Sequence, residues 1–253
     1  MAEIVKVRDV KIGEGLPKIC VSLIGKTLTE IKEEAFYLNN VNVDLVEWRV
    51  DFFDQCLNLD DVDSALKEIR EVIGNTPLLF TFRTANEGGE KDITIDEYVT
   101  LYKHAIRSNY IDLLDIELFQ EKNEVVEMVK YAKGNQVVVI ISNHDFAKTP
   151  TKEEILHRLK MAEQLGADIP KIAVMPKSEK DVLLLLEATL EGRSSVDCPI
   201  VTMSMGGKGS ISRLSGELFG SSITFGAAKS ASAPGQIPLE DLKQVLHVIH
   251  HSL

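Results

Sequence analysis

Short apolar runs alternate with longer amphipathic stretches along almost the whole chain. The opening segment 4–12 alternates apolar and polar residues and is followed by Gly13 and Gly15, which predicts a small β-hairpin. One rhythm then takes over. Strands are predicted at 18–24, 43–49, 77–83, 111–117, 136–142, 168–176, 199–204 and 221–225. Between and after them, helices are predicted at 27–38, 59–73, 95–107, 123–132, 152–165, 179–190, 212–218 and 239–251. Strands that alternate with helices in this way pair in parallel, with the helices outside. Eight such units in 253 residues, with no long linker, predict the α/β class. The expected fold is a (β/α)8 TIM barrel with a short N-terminal β-hairpin, residues 1–253 forming a single catalytic domain. The open doubly wound alternative lacks its glycine fingerprint after the first strand.

A barrel strand sends alternate side chains inward and outward, and active sites gather at the C-terminal strand ends. The polar residues follow that parity. Glu47 and Arg49 share one face of their strand, with Val46 and Trp48 on the other. Arg83 goes with Thr81, Asp115 with Glu117, and Ser142 with His144. Lys171 goes with Ala173 in the run Asp168-Ile-Pro-Lys-Ile-Ala-Val-Met-Pro176. A strand-end lysine can snorkel to water. A lysine buried without a partner instead tends to lose its proton, and a neutral amine attacks carbonyl carbons to form a Schiff base. The shared inward parity favours the buried reading. Glu87, in the loop 84–90, and His144 then supply a carboxylate and a proton carrier beside the amine, a set suited to imine chemistry with proton abstraction next to the carbonyl. Glu47 and Arg49 are open to two readings, an internal ion pair or contacts to a substrate.

Composition narrows the partners. A net charge of −11 and a pI of about 5.1 argue against nucleic acid or an anionic membrane. No apolar run approaches the length of a membrane span, and the charged start lacks a signal-peptide core. The three cysteines, Cys20, Cys56 and Cys198, have no metal-ligand spacing and read as reduced, mostly buried thiols of a cytoplasmic protein. Three weaker signals remain. Gly206-Gly-Lys-Gly209 either cradles a phosphate or is a plain turn. Gly25-Lys-Thr27 lacks the first glycine of a phosphate loop, since Cys20 stands there. His247, His250 and His251 have helical metal spacing but equally suit a helix C-terminus.

The chain resembles type I 3-dehydroquinate dehydratase along nearly its whole length. The blocks that carry the resemblance are Glu47-Trp-Arg-Val-Asp-Phe-Phe53, Phe80-Thr-Phe-Arg-Thr84 with Glu87-Gly-Gly-Glu90, Asp115-Ile-Glu-Leu118 and Ser142-Asn-His-Asp-Phe146. Further on come Pro170-Lys-Ile-Ala-Val-Met-Pro176, Met203-Ser-Met-Gly206, Ser212-Arg213 and Ser232-Ala-Pro-Gly-Gln236. The resemblance implies dehydration of 3-dehydroquinate to 3-dehydroshikimate, with no cofactor and no metal, in a homodimer. It implies that Lys171 forms the imine, that His144 moves the protons, and that Glu87 orients His144. It implies that Arg213 holds the substrate carboxylate. Ser22, Glu47, Arg49, Arg83, Ser232 and Gln236 are then expected to bind ring hydroxyls or shape the pocket.

Two rivals share parts of this pattern. A class I aldolase also uses a barrel lysine, and a non-catalytic sensor of quinate-like ligands would need neither Lys171 nor His144. The segment 231–236, rich in small residues, is either a connector or a lid that orders over the bound ligand.

Overall fold

The structure is a computed structural model that describes residues 3–228 and 231–253. Strands β1 (Val5–Val7) and β2 (Val10–Ile12) form an antiparallel hairpin, as the alternation predicts. The repeating units then follow: β3 (Lys18–Leu23), α1 (Leu28–Val41), β4 (Leu45–Arg49), α2 (Leu59–Ile73), β5 (Leu78–Thr81), α3 (Ile95–Arg107), β6 (Leu113–Glu117) and α4 (Lys122–Gly134). They continue with β7 (Val138–Asp145), α5 (Lys152–Gln164), β8 (Ile169–Val174), α6 (Glu179–Gly192) and β9 (Val201–Ser204). The last elements are α7 (Ser210–Leu214), α8 (Gly216–Phe219), β10 (Ile223–Ala227), β11 (Ile237–Pro238) and α9 (Leu239–His250).

Strands β3 to β9 pair in parallel in chain order, and β10 pairs with β3. The curled sheet meets itself between β9 and β10, where Ile200 and Ser221 form one parallel bridge and the Ser222 N–H donates to the Ile200 carbonyl at 2.8 Å. The eight predicted units are present. The helix starts carry the expected signals. Thr27 with Glu30 and Thr94 with Glu97 form capping boxes, each satisfying otherwise orphaned N–H groups.

Two apolar regions flank the sheet. Outward residues such as Trp48, Phe80 and Ile116 pack against the helices. Inward residues Cys20, Leu45, Leu79, Leu113, Ile140 and Ile169 fill the lower barrel, and Val7 and Ile12 of the hairpin pack on them. The hairpin therefore plugs the end opposite the strand termini.

Three local expectations are corrected. The single helix predicted at 212–218 is two short ones that meet at Ser215. Its path is dictated by Gly216, where a Cβ would stand 2.6 Å from the Ser221 carbonyl oxygen and 2.8 Å from Pro17. The last barrel strand runs 223–227 rather than 221–225, because Ser221 and Ser222 lie at the seam and bond across it. The strand predicted at 136–142 extends to Asp145, so His144 is a strand residue held by the ladder. The segment 231–236 lacks helix and strand, as predicted, but it ends in the short strand β11, which adds to β10.

Candidate active site

The register of the sheet stacks the inward polar residues into a layer above the apolar plug. Ser22 lies opposite Glu47, Arg49 opposite Thr81, Thr81 opposite Asp115, Glu117 opposite Ser142, and Ser142 opposite Lys171. Every predicted site residue except Ser22 lines one pocket of about 590 Å³, open at its mouth. Ser22 sits beneath it and donates to Glu47 Oε2 at 2.5 Å.

Lys171 is buried, but it is not alone. Its Nζ donates to Asp115 Oδ2 at 2.9 Å and lies 4.6 Å from the centroid of the Phe225 ring. The premise of an unpartnered amine is thus corrected, since a carboxylate compensates the burial of the charge. Asp115 is fully buried, and its other oxygen accepts from Arg83 at 2.8 Å and from the Ser142 hydroxyl at 2.5 Å. Burial raises the Asp115 pKa, but Arg83 and Lys171 outweigh it and hold the carboxyl far below its usual range. Arg83 also donates to Glu117 at 3.0 Å, so one guanidinium ties two strand-end carboxylates together.

His144 faces Glu87. Its Nδ1 lies 2.8 Å from Glu87 Oε2, which also accepts from the His144 backbone N–H at 3.0 Å. Asn143 donates to the other Glu87 oxygen at 3.1 Å. When it is ionised, Glu87 can only accept, so the ring proton then sits on Nδ1 and Nε2 keeps a lone pair. Burial, with Arg83 and Lys171 nearby, lowers the His144 pKa well below its ordinary value, so the imidazole is neutral. Burial also pushes Glu87 up to about 8, against the pull of Arg83.

Glu47 and Arg49 do not pair with each other. Glu47 accepts from Ser22 and Thr81, while Arg49 forms a two-pronged pair with Asp51, both bonds 2.8 Å. The internal ion pair exists, but its acid is Asp51. Fully buried, Asp51 stands in the short 3₁₀ turn that follows β4.

Arg213 is different again. It is 2% exposed, and no carboxylate contacts it. Its guanidinium donates to the Pro234 carbonyl at 3.2 Å and approaches the Met203 sulfur at 3.6 Å, while Nε has no partner. Burial alone lowers its pKa to about 10. Segment 231–236 lies across this side of the pocket. Ser232 donates to Ser22 at 2.9 Å, the Gln236 side chain accepts from the Ser232 backbone N–H and donates to its hydroxyl, and Gly206 N–H donates to the Pro234 carbonyl. Gly235 comes so close to Gly206 that a Cβ there would stand 2.3 Å from its carbonyl oxygen. Thus Gly206 serves as a seat for this segment.

The remaining weak signals do not join the site. His250 pairs with Glu217, His251 bonds the His247 carbonyl, and the described residues contain no group of three metal-ligating side chains. Among the described residues no helix is long and apolar enough to cross a membrane. Asp115, Asp51, Phe225 and the methionines Met203 and Met205 are the site residues that the sequence reading left unassigned.

Fold and site together define a barrel enzyme whose strand ends hold a buried amine and a neutral imidazole, with a guanidinium that lacks an acidic partner on the short helix α7. The family model for type I 3-dehydroquinase matches residues 19–253, and the chain belongs to that family. It is 54% identical to the 3-dehydroquinate dehydratase of Bacillus licheniformis over all of both chains. The type I 3-dehydroquinate dehydratase of Clostridium difficile, solved with covalently modified comenic acid, superposes with a TM-score of 0.98 at 54% identity over all of both chains. The Geobacillus kaustophilus 3-dehydroquinate dehydratase gives a TM-score of 0.95 at 39% identity, covering 98% of this chain and 97% of that one.

Proposed function

We infer that the pocket dehydrates 3-dehydroquinate to 3-dehydroshikimate, a step of the shikimate pathway, through an imine on Lys171. The observation that carries this is the pairing of a buried amine with a neutral, carboxylate-held imidazole in one pocket. Lys171 starts as the ammonium and gives up one proton to attack the ring ketone through its amine; that proton and a second one from the nitrogen leave with the ketone oxygen as water, giving a protonated imine. That cation draws electrons from the adjacent carbon, so a base as weak as imidazole suffices to take the neighbouring proton. His144 Nε2 is that base. The enamine then expels the hydroxyl with a proton returned from His144, and water hydrolyses the product imine. Glu87 holds the ring in its tautomer.

Arg213 binds the substrate carboxylate. A buried guanidinium with an idle Nε and no acidic partner is complementary to an anion. Ser232 and Gln236 of the overlying segment, with Arg49, Arg83, Glu47 and Ser22 below, face the ring hydroxyls or hold the groups that do. The covalently modified ligand of the Clostridium difficile relative supports a nucleophile in this pocket. We further propose that the chain acts as one catalytic unit in the cytoplasm and as a homodimer, which sedimentation at micromolar concentration tests.

Borohydride reduction in the presence of 3-dehydroquinate, followed by peptide mass spectrometry, tests the imine. The expected result is one substrate-derived adduct on Lys171. Full turnover with no trapped adduct, or an adduct on another lysine, overturns the mechanism.

A further inference from the structure

Asp115 appears in no step of the mechanism above, yet it makes the closest polar contact to the reacting nitrogen. Its Oδ2 lies 2.9 Å from Lys171 Nζ, while Arg83 and Ser142 hold Oδ1. Because it is fully buried on a central strand, the carboxylate cannot swing away. Nζ also lies over the Phe225 ring, 4.6 Å from its centroid, where the ring offers its face to a cation.

Condensation leaves the charge at this nitrogen unchanged. An ammonium and a ketone give a protonated imine and water: the nitrogen loses two hydrogens to the departing oxygen, keeps one, and stays cationic. The seat formed by Asp115 and Phe225 therefore suits the product of the condensation as well as its starting form. That one remaining N–H is what makes the intermediate an electron sink, because a neutral imine acidifies its neighbouring carbon far less.

We propose that Asp115 is a catalytic residue, the fixed counter-ion that keeps the Lys171 imine protonated while His144 removes the carbon-bound proton. The proposal rests on the imine reading and deepens it. Asp115 is not a base in the cycle. Arg83 and Lys171 hold it ionised, so it accepts the iminium N–H bond without taking the proton. Its orientation is prearranged by the Arg83 and Ser142 bonds, so no dipole has to turn as the imine forms.

The test uses cyanoborohydride, which reduces a protonated imine and spares a neutral one. Adduct yield with 3-dehydroquinate is measured against pH for the wild-type enzyme and for Asp115→Asn, which keeps the shape and loses the charge. An opposite charge at this range moves a titration by roughly one to three units. The alkaline fall in trapped adduct should therefore come at least about one unit lower in Asp115→Asn. Its C2-deuterium isotope effect on turnover should rise, because proton abstraction becomes slower. A residue that only supports the fold would lower yield at every pH and leave the midpoint unmoved. Ser142→Ala, which removes one bond to the carboxylate, should shift the fall in the same direction by less. It serves as the readout if Asp115→Asn does not fold. Superposable pH profiles in the folded variant overturn the proposal. Absence of adduct in the wild-type enzyme would instead remove the imine reading beneath it.

Discussion

The two sides of the pocket handle charge in opposite ways. On the side built from β5 to β8, cations and anions are interlocked. Arg83 bonds Asp115 and Glu117, Lys171 bonds Asp115, and Glu87 bonds His144. On the side built from β9, α7 and the segment 231–236, the buried Arg213 guanidinium faces the Pro234 carbonyl and the Met203 thioether. On the first side each charged group is held in position by a neighbour of opposite charge or by a hydrogen bond. The second side is electrostatically unfinished, because burying an arginine without an anion is costly. On the proposed function, chemistry falls to the interlocked side and substrate recognition to the unfinished one.

The largest effects should come from the interlocked side. Lys171→Ala should abolish both the trapped adduct and measurable turnover, because no other amine among the described residues bonds Asp115 or lies over Phe225. Near-normal turnover in this variant would remove covalent catalysis from the site. His144→Ala should lower kcat by about 10²–10⁴-fold while changing substrate binding little, as expected for a general acid–base group. The imine still forms in it, so the adduct should accumulate and be easier to trap. A loss of less than about tenfold would mean that another group carries the proton.

Replacing the two arginines sharpens the contrast. Arg83→Met strands Asp115 and Glu117 as buried carboxylates short of a cation, a change expected to destabilise the fold by roughly 3–5 kcal/mol. Arg213→Met removes a buried charge that has no acidic partner, so its melting temperature should stay level or rise. Its penalty should fall on binding instead. Losing hydrogen bonds to a charged group is worth about 1.5–3 kcal/mol, a KM raised about 10–150-fold with kcat changed much less. Equal loss of stability in both variants would erase the distinction between the two sides.

The Glu87–His144 pair sets a smaller, measurable effect. The active base holds one proton, on Nδ1, with Nε2 free. As pH falls the pair gains a second proton and the base is lost, so turnover should decline on the acid side. Burial pushes Glu87 up to about 8, and the apparent pKa of that decline belongs to the pair. In Glu87→Gln only the imidazole can take the proton, and its own pKa is lowered well below the ordinary value. The acid limb of kcat/KM should therefore move to lower pH. A limb that stays in place in Glu87→Gln would assign it to another group.

The same contrast explains what could be read from the chain alone. On the interlocked side Lys171, His144, Asp115 and Glu117 lie in strands and Arg83 just past the end of one, where a period of two shows which face they share, while Glu87 stands in a 3₁₀ turn. Lys171, His144, Glu47 and Arg83 were legible in this way, and so was the barrel that gathers them. Asp115 was legible as an inward residue but not as the partner of Lys171, because that pairing is set by the register of β6, β7 and β8 across 56 positions. Asp51 follows β4 in a 3₁₀ turn, where strand parity no longer applies. On the unfinished side no periodicity helps. Arg213 stands on a five-residue helix, and only the family resemblance marked it. The break at Ser215 depends on how closely Gly216 approaches Ser221 and Pro17, a contact that the helical pattern of 212–218 does not contain.

The smallest effect should come from the segment over the unfinished side, where the lid and connector readings part. Ser232 bonds Ser22 across 210 positions, Arg49 reaches the Ser232 carbonyl at 3.4 Å, and Arg213 and Gly206 both hold Pro234. Two of these are neutral hydrogen bonds, each worth about 0.5–1.5 kcal/mol net, and two are long bonds from guanidinium groups to carbonyls. Together they hold a segment that is only partly buried, the kind of element that opens locally well below the global unfolding free energy. A substrate carboxylate on Arg213 and ring hydroxyls against Ser232 and Gln236 would add bonds that exist only in the closed arrangement. Amide exchange across 231–237 should therefore slow when 3-dehydroquinate is trapped on Lys171, while exchange in β6 and β7 stays unchanged. Ser232→Ala and Gln236→Ala should each raise KM by several-fold, consistent with loss of about one neutral hydrogen bond. Equal exchange with and without adduct, together with unaltered kinetics in both variants, would reduce the segment to a connector. Protection confined to the adduct-bound enzyme would show that the unfinished side is completed by the substrate itself.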